Sequence, residues 1–216
     1  MKKSLRALAA AAAAIATAPA SAAIVVSMNP AVQSVAVGDS ILVDIRISGL
    51  GTTEILSAFD LNVLFNSALV SNAPGSQGIA FFGTEFGPDA VFGTSFASGN
   101  NGAIGDAFPL EDDDLAAIQT DDSFTFLTFR WTAQADGALF LSFGTDPFFE
   151  RNVVGRLGES LNATFEGACV AIGTGSCTQN PIPEPATFGL AGLALLGCGL
   201  TRNLTRRREA QVVSAA

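Results

Sequence analysis

The sequence predicts an all-β domain held between two topogenic ends. Apolar and polar residues alternate with period two over two long stretches in the first third of the chain, the signature of half-buried strands. Phe, Gly, Ser, Thr and Ala dominate the middle of the chain, while Lys, Tyr and His are missing from it, a mixture that suits strands and loops better than a helical bundle. Basic residues flank an apolar run at each terminus, so the ends are read separately from the middle.

At the amino terminus Lys2, Lys3 and Arg6 precede an alanine-rich apolar stretch from Ala7 to Ala18. Ala20, Ser21 and Ala22 then supply the small residues that a signal peptidase reads. Residues 1–22 are therefore expected to be a signal peptide, removed before Ala23. The domain expected at 23–180 opens with strands at 24–28 and 31–37. From 40 to 48, Ile41, Val43, Ile45 and Ile47 form one face, with Asp44, Arg46 and Ser48 on the other beside Leu42. After a glycine-rich turn at 49–53 the pattern returns over 58–66, where Phe59, Leu61, Val63 and Phe65 alternate with Asp60, Asn62 and Asn66. Further strands are expected at 123–131, 138–143 and 163–172. The apolar phase shifts between Phe126 and Leu127, which calls for burial on both faces or a β-bulge. Residues 72–115 intersperse Phe81, Phe82, Phe86, Phe92 and Phe96 with glycines and read as one or two strands within long loops, with the rings in the core or forming an exposed platform for sugars.

Charge narrows the partners. Residues 23–180 carry 18 acidic and four basic side chains, a net charge of −14 against −9 for the whole chain. Such a domain repels phosphate backbones and anionic lipid, which argues against nucleic-acid binding. Absence of His removes Ser-His-Asp and Cys-His machinery and histidine-containing zinc sites. Carboxylates are plentiful, but no spacing singles out an acid and a nucleophile, so no catalytic residue is assigned and no enzyme is expected. The densest acidic cluster is Glu111 to Asp114 followed by Asp121 and Asp122. It reads as a solvated turn or as a calcium site, with Asp112, Asp114 and Asp122 as the oxygen ligands; the spacing fits no EF-hand. Cys169 and Cys177 flank seven residues and are expected to close a disulfide loop in an oxidising compartment, whereas Cys198 belongs to the tail.

The tail has a fixed order: Pro183, Glu184 and Pro185, an uncharged apolar run from Ala186 to Leu200, then Arg202, Arg206, Arg207 and Arg208. As a helix the run reaches roughly 22 Å, short of a hydrocarbon core of roughly 30 Å, so it is a marginal transmembrane helix. The arginines behind it place residues 209–216 in the cytoplasm. In these three parts residues 181–208 resemble the PEP-CTERM sorting tail of Gram-negative bacteria that make exopolysaccharide. That resemblance implies recognition by a membrane-embedded exosortase, cleavage near Pro183-Glu184-Pro185, and delivery to the cell surface or extracellular matrix after transient anchoring in the inner membrane.

A second resemblance lies in the strands. Residues 35–48, then 56–70, are similar to the opening of cohesin-like domains, and residues 124–131 with Asp136, Gly137 and 138–143 are similar to their later strand pair. That resemblance implies a jelly-roll-like antiparallel β-sandwich, related in fold to some carbohydrate-binding modules. The expected function is that of an exported, surface-sorted, non-catalytic protein that binds glycan in an exopolysaccharide or biofilm matrix, with calcium as the candidate bridge. The alternative is a protein-docking module that uses one sheet face as cohesins do, and the third reading is a glycoside hydrolase.

Overall fold

Alternation with period two puts every Ile and Val of the 40–48 stretch on one side of an extended chain, and a slip of one residue would expose them all. The computed structural model describes residues 23–72 and 78–177, and there Ile41, Val43, Ile45 and Ile47 are all fully buried. Their strand, β3 (Ser40–Ser48), sits inside a sheet ordered β12 (Ala163–Glu166), β1 (Ile24–Asn29), β3, β9 (Ser123–Ala133) and β5 (Val70–Asn72), with β6 (Ile79–Phe82) also paired to β9. The second sheet is ordered β2 (Val32–Val35), β13 (Ala168–Ile172), β10 (Gly137–Gly144), β4 (Ala58–Leu64), β8 (Asn100–Asp106) and β7 (Val91–Ala97). There β11 (Asn152–Val154) extends the edge that β10 shares with β4.

The two sheets close on one core to form the expected sandwich. Phe59 of β4 meets Phe126 of β9 at 5.0 Å between ring centroids, and Phe82 of β6 stacks on Phe92 of β7 at 4.2 Å. Trp131 is fully buried and stacks on Phe129 at 5.4 Å. Ladders are antiparallel except at two places, where β1 pairs with β12 and β2 with β13 in parallel. The phase shift in β9 is a bulge: Ile45 faces Leu127 while Arg46 faces Thr125, which leaves Phe126 as the extra residue. Both Phe126 and Leu127 are thereby buried.

Three expectations need correction. Residues 72–115 hold three strands, β6, β7 and β8, rather than one or two. Glycines hid them. Gly105 takes an inward position of β8 beneath the Phe59 ring, and Gly102 an outward one beneath the Phe149 ring, so the neighbour's side chain fills the place that an apolar residue would have marked. The stretch 163–172 is two strands, since the chain leaves the first sheet at Gly167 and enters the second as β13. Helix α1 (Asp112–Ile118) was not expected at all; only Leu115 in it is buried, too few residues to create a period. Gln119, just after it, is buried and ties the helix to the core. Its side chain accepts the Leu56 N–H at 2.8 Å and donates to the carbonyls of Leu56 and Glu85.

Candidate functional site

Strand pairing assigns the outer face of the second sheet residue by residue. Along β4 and β8, Ala58 stands opposite Asp106, Asp60 opposite Ile104, Asn62 opposite Gly102 and Leu64 opposite Asn100. Beyond β8, Val91 pairs with Asp106 and Gly93 with Ile104. Gly93 offers no side chain, so Ile104 lies across the strand beside it. Val91 is 61% exposed, Ile104 43% and Phe108 69%. Together with Ala58, Phe59, Gly105 and Asp106 they line a mainly apolar trough of about 420 Å³. Phe108 is held outward by a local turn in which Asp106 Oδ1 accepts its N–H at 2.9 Å.

A strap formed by residues 145–151, between β10 and β11, crosses the same face. Asp146 anchors it. Its Oδ1 accepts the N–H groups of Phe148 and Phe149, both at 2.7 Å, while Oδ2 accepts Asn100 Nδ2 at 3.1 Å and Asn62 Nδ2 at 3.4 Å. The Phe149 ring rests on Gly102, whose missing Cβ is the space the ring needs, and Phe148 projects with 86% of its surface exposed. The strap closes on β4 where Asp60 Oδ1 accepts the Glu150 N–H at 3.1 Å.

Three carboxylates therefore gather at the root of the strap. Burial lifts the Asp60 carboxyl above the ordinary aspartate value, the charges of Glu150 and Asp146 lift it further, and the Glu150 N–H offsets part of the rise. None of the three makes a direct ion pair, the one ion pair among the described residues joining Arg156 to Asp113; Arg151 lines a shallow hollow with Asp146 and Glu150, and its guanidinium lies over the Phe165 ring at 5.1 Å. Asn62 is fully buried, and its Oδ1 has no hydrogen-bond donor.

The outer face of the first sheet is of another kind. Cross-strand pairs there set Ser40 against Thr132, Leu42 against Arg130, Asp44 against Thr128 and Ser48 against Ser123. Thr128 donates its hydroxyl hydrogen to Asp44 at 2.7 Å, and Arg46 donates to Ser123 at 2.7 Å. Two of its cross-strand contacts are thus polar groups serving one another.

The residues singled out from sequence fall elsewhere. Asp112, Asp113 and Asp114 form the first turn of α1, and the structure does not assemble Asp112, Asp114 and Asp122 into a ligand set: no group of three acidic or cysteine side chains able to hold a metal is present among the described residues. Instead Asp112 Oδ2 accepts the Leu157 N–H at 2.8 Å, Asp113 pairs with Arg156, and Asp122 Oδ1 accepts the N–H of Gly51. Cys169 and Cys177 are joined by a disulfide with their Cα atoms 5.9 Å apart. Of the five phenylalanines in the glycine-rich stretch, Phe86 is fully buried, Phe82, Phe92 and Phe96 are half-buried, and Phe81 is exposed. Pro183, Glu184, Pro185, Arg206, Arg207, Arg208, the signal peptide, the apolar run and the cytoplasmic tail lie outside the described residues. Within the described residues no helix is long and apolar enough to cross a membrane.

Solved structures carry the comparison for the domain. A type II cohesin domain from the cellulosome of Acetivibrio cellulolyticus superposes with a TM-score of 0.53 at 14% identity, over 69% of this chain and 95% of that one. A cohesin solved in a type I cohesin–dockerin complex from Clostridium thermocellum gives 0.52 at 13% identity, over 70% and 99%. The third cohesin ScaC of Acetivibrio cellulolyticus, solved with a dockerin, gives 0.51 at 12%, again over 70% and 99%. The domain has a cohesin-like fold. At these identities the likeness is one of fold alone. Residues 181–208 match the PEP-CTERM protein-sorting motif, which implies export and sorting through a membrane-anchored stage. A comparison with curated proteins finds no match.

Val91, Ile104, Phe108, Asp60, Asp146 and Glu150 on the cohesin-like domain's second sheet were not singled out from sequence. A local signal existed for part of the face. Asp106-Ala107-Phe108 and Asp146-Pro147-Phe148 repeat one pattern, an aspartate capping the amide two residues on and presenting an exposed ring. Nothing in the sequence brings Asp60 to Glu150.

Proposed function

We propose that this chain is an exported, non-catalytic docking module that binds a polypeptide partner through the outer face of its second sheet, at the surface or in the extracellular matrix of a Gram-negative cell. The observation that carries the reading is the apolar trough of Val91, Ile104 and Phe108 on a face otherwise edged by Asp60, Asp106, Asp146 and Glu150. Exposed apolar side chains fixed on a rigid sheet beside charged neighbours make the anchor-and-rim pattern of a specific protein interface. The cohesin-like fold supports the same reading, and the sorting motif supports exosortase processing. Glycan in the exopolysaccharide matrix is the second candidate, but Phe82 and Phe92 stack on each other and Phe86 is buried, so the sugar platform considered for residues 72–115 loses most of its rings.

A photo-crosslinking residue placed at Val91 in the full chain, in producing cells, tests this against the same residue at Leu42 on the first sheet. The expected result is a discrete protein adduct from Val91 that survives glycan digestion and disappears when Ile104→Asp is added. Adducts that need intact glycan, or equal yields from both positions, would overturn it. Deletion of residues 181–216 is expected to release the protein from the envelope fraction; unchanged fractionation would count against sorting.

A further inference from the structure

We infer that the free edge of β7 takes an extended polypeptide segment as an added strand, and that this segment is the part of the partner that fills the trough. The inference rests on the docking reading and names the partner's conformation and chemistry. Hydrogen-bond parity is the first argument. The Ala107 N–H bonds the Ser57 carbonyl and the Phe65 N–H the Gly99 carbonyl, both at 2.9 Å, which continues the β4–β8 ladder in phase at its two ends. Odd-numbered residues of β8 therefore bond to β4, and Asp106, Ile104 and Gly102 bond to β7. Their partners Val91, Gly93 and Ser95 spend their backbone groups on that pairing, so Phe92 directs its N–H and carbonyl away from the sheet. No strand lies beyond β7 in its sheet, and neither backbone group of Phe92 is bonded elsewhere among the described residues.

The edge itself is the second argument. A sheet edge is ordinarily shielded by shortness, by charge or by a bulge. The edge strands β2 and β12 have four residues, β5 and β11 have three, and β6 has four with a register shift between Ile79 and Phe81. β7 has seven, pairs with β8 without a shift, and carries no charged side chain in an otherwise strongly acidic domain. Thr94 is engaged within the chain and Gly78 packs against the Phe96 ring, so the open stretch is the amino-terminal half of the strand, Val91 to Gly93.

Side chains select the segment. Residues of an added strand stand roughly 5 Å from their cross-strand neighbours. Those opposite Val91 and Gly93 share the outer face with the trough: one meets the exposed Val91 side chain, and the other meets Ile104, which lies over the position that Gly93 leaves empty. The residue between them, opposite Phe92, points the other way, to the edge of the core. There Phe82 and Phe92 stack at 4.2 Å and are only half-buried, an apolar surface that the sandwich leaves open on this side. Both faces therefore call for apolar side chains, and the segment is three consecutive apolar residues in an extended conformation, held by main-chain bonds to Phe92. A second copy of the domain would bring its own negative charge to the contact, which disfavours it as the occupant.

The test selects displayed random peptides on the full-length protein in detergent micelles, after depletion on empty micelles. The tightest peptide is synthesised with each amide N-methylated in turn, and amide hydrogen exchange of the protein is measured with and without it. N-methylation at alternate residues is expected to weaken binding at least about tenfold, and at the residues between them less than about twofold, because only every second amide of a strand faces its neighbour. Exchange at Phe92 should slow at least about tenfold on binding, as a solvent-facing amide enters a ladder. The peptide should carry three consecutive apolar residues, and its binding should be lost on Val91→Asp and on Ile104→Asp. Peptides that need Val91 and Ile104 but show no alternation and leave Phe92 exchange unchanged would overturn strand addition and leave docking standing. Peptides indifferent to both substitutions, or the absence of any binder, would overturn docking as well. Protection of Phe92 by raising the protein concentration alone, without peptide, would assign the edge to a second copy and overturn the inference.

Discussion

Two acidic clusters lie on this domain, and they are built in opposite ways. Asp112, Asp113 and Asp114 are consecutive, yet a helix turns successive side chains about 100° apart, and the structure sends two of them to separate partners at Leu157 and Arg156. Asp60 and Glu150 are 90 residues apart, yet strand register and a strap bring them together with Asp146. Adjacency in sequence disperses charge here, and topology concentrates it. A cluster that satisfies itself with local donors is part of the scaffold, whereas one that gathers charge raises the proton affinity of its most buried member, Asp60.

The largest effect should come from Asp146, because four donors depend on it. Asp146→Ala strands the amides of Asn62 and Asn100 and frees the strap, and is expected to cost about 2–3 kcal/mol in urea denaturation. Hydrogen exchange should rise at Phe148 and Phe149 and stay unchanged in the first sheet. Asp146→Asn keeps an oxygen for both backbone amides but turns an amino group toward Asn62 and Asn100, so it should recover only part of the loss. Full recovery would mean that the strap turn alone matters and that the side-chain amides contribute nothing.

This contrast also explains what could be read in advance. Wherever one side chain per residue marks the inward face, as in Ile41 to Ile47 or Phe59 to Val63, alternation located the strands and their buried side. It failed at β8, where Gly102 and Gly105 give their places to the rings of Phe149 and Phe59, because the pattern is completed by residues far away in sequence. The outer face of the second sheet was invisible for the same reason. Asp60 is an ordinary polar position of an amphipathic strand until β8, β11 and the strap are laid beside it. The acidic run at 111–114 was conspicuous in sequence, and two of its members, Asp112 and Asp113, proved to clamp α1 to the turn at 156–158.

The α1 cluster should respond more weakly than the strap. Asp112→Ala removes the acceptor that holds the Leu157 N–H, at a residue with φ of 57°, a left-handed conformation unusual for leucine. A loss of about 0.5–1 kcal/mol is expected by denaturant titration, since the freed amide can reach water. Asp113→Asn should cost less than about 0.5 kcal/mol, as an exposed ion pair is screened and contributes little. If either change matched Asp146→Ala, the distinction between a local clamp and a shared anchor would fail.

The finest test is the sign of a pH effect at Asp60. Its carboxyl binds a proton more tightly in the folded chain than in the unfolded one, chiefly because it is partly buried and then because Glu150 and Asp146 are near. Through the window between the ordinary aspartate value and the raised one the folded state holds more protons. Stability from this group is therefore present in acid and lost as pH rises through the folded value. Asp60→Asn keeps an oxygen for the Glu150 N–H and removes the charge, so it is expected to raise the melting temperature slightly at pH 7 and to leave it unchanged below the ordinary aspartate value. The gain should be small because solvent still reaches the group and screens its neighbours. A gain of equal size at both pH values would show that packing, and not charge, is what the substitution relieves. A loss at pH 7 would show that the carboxylate is already compensated in the folded chain.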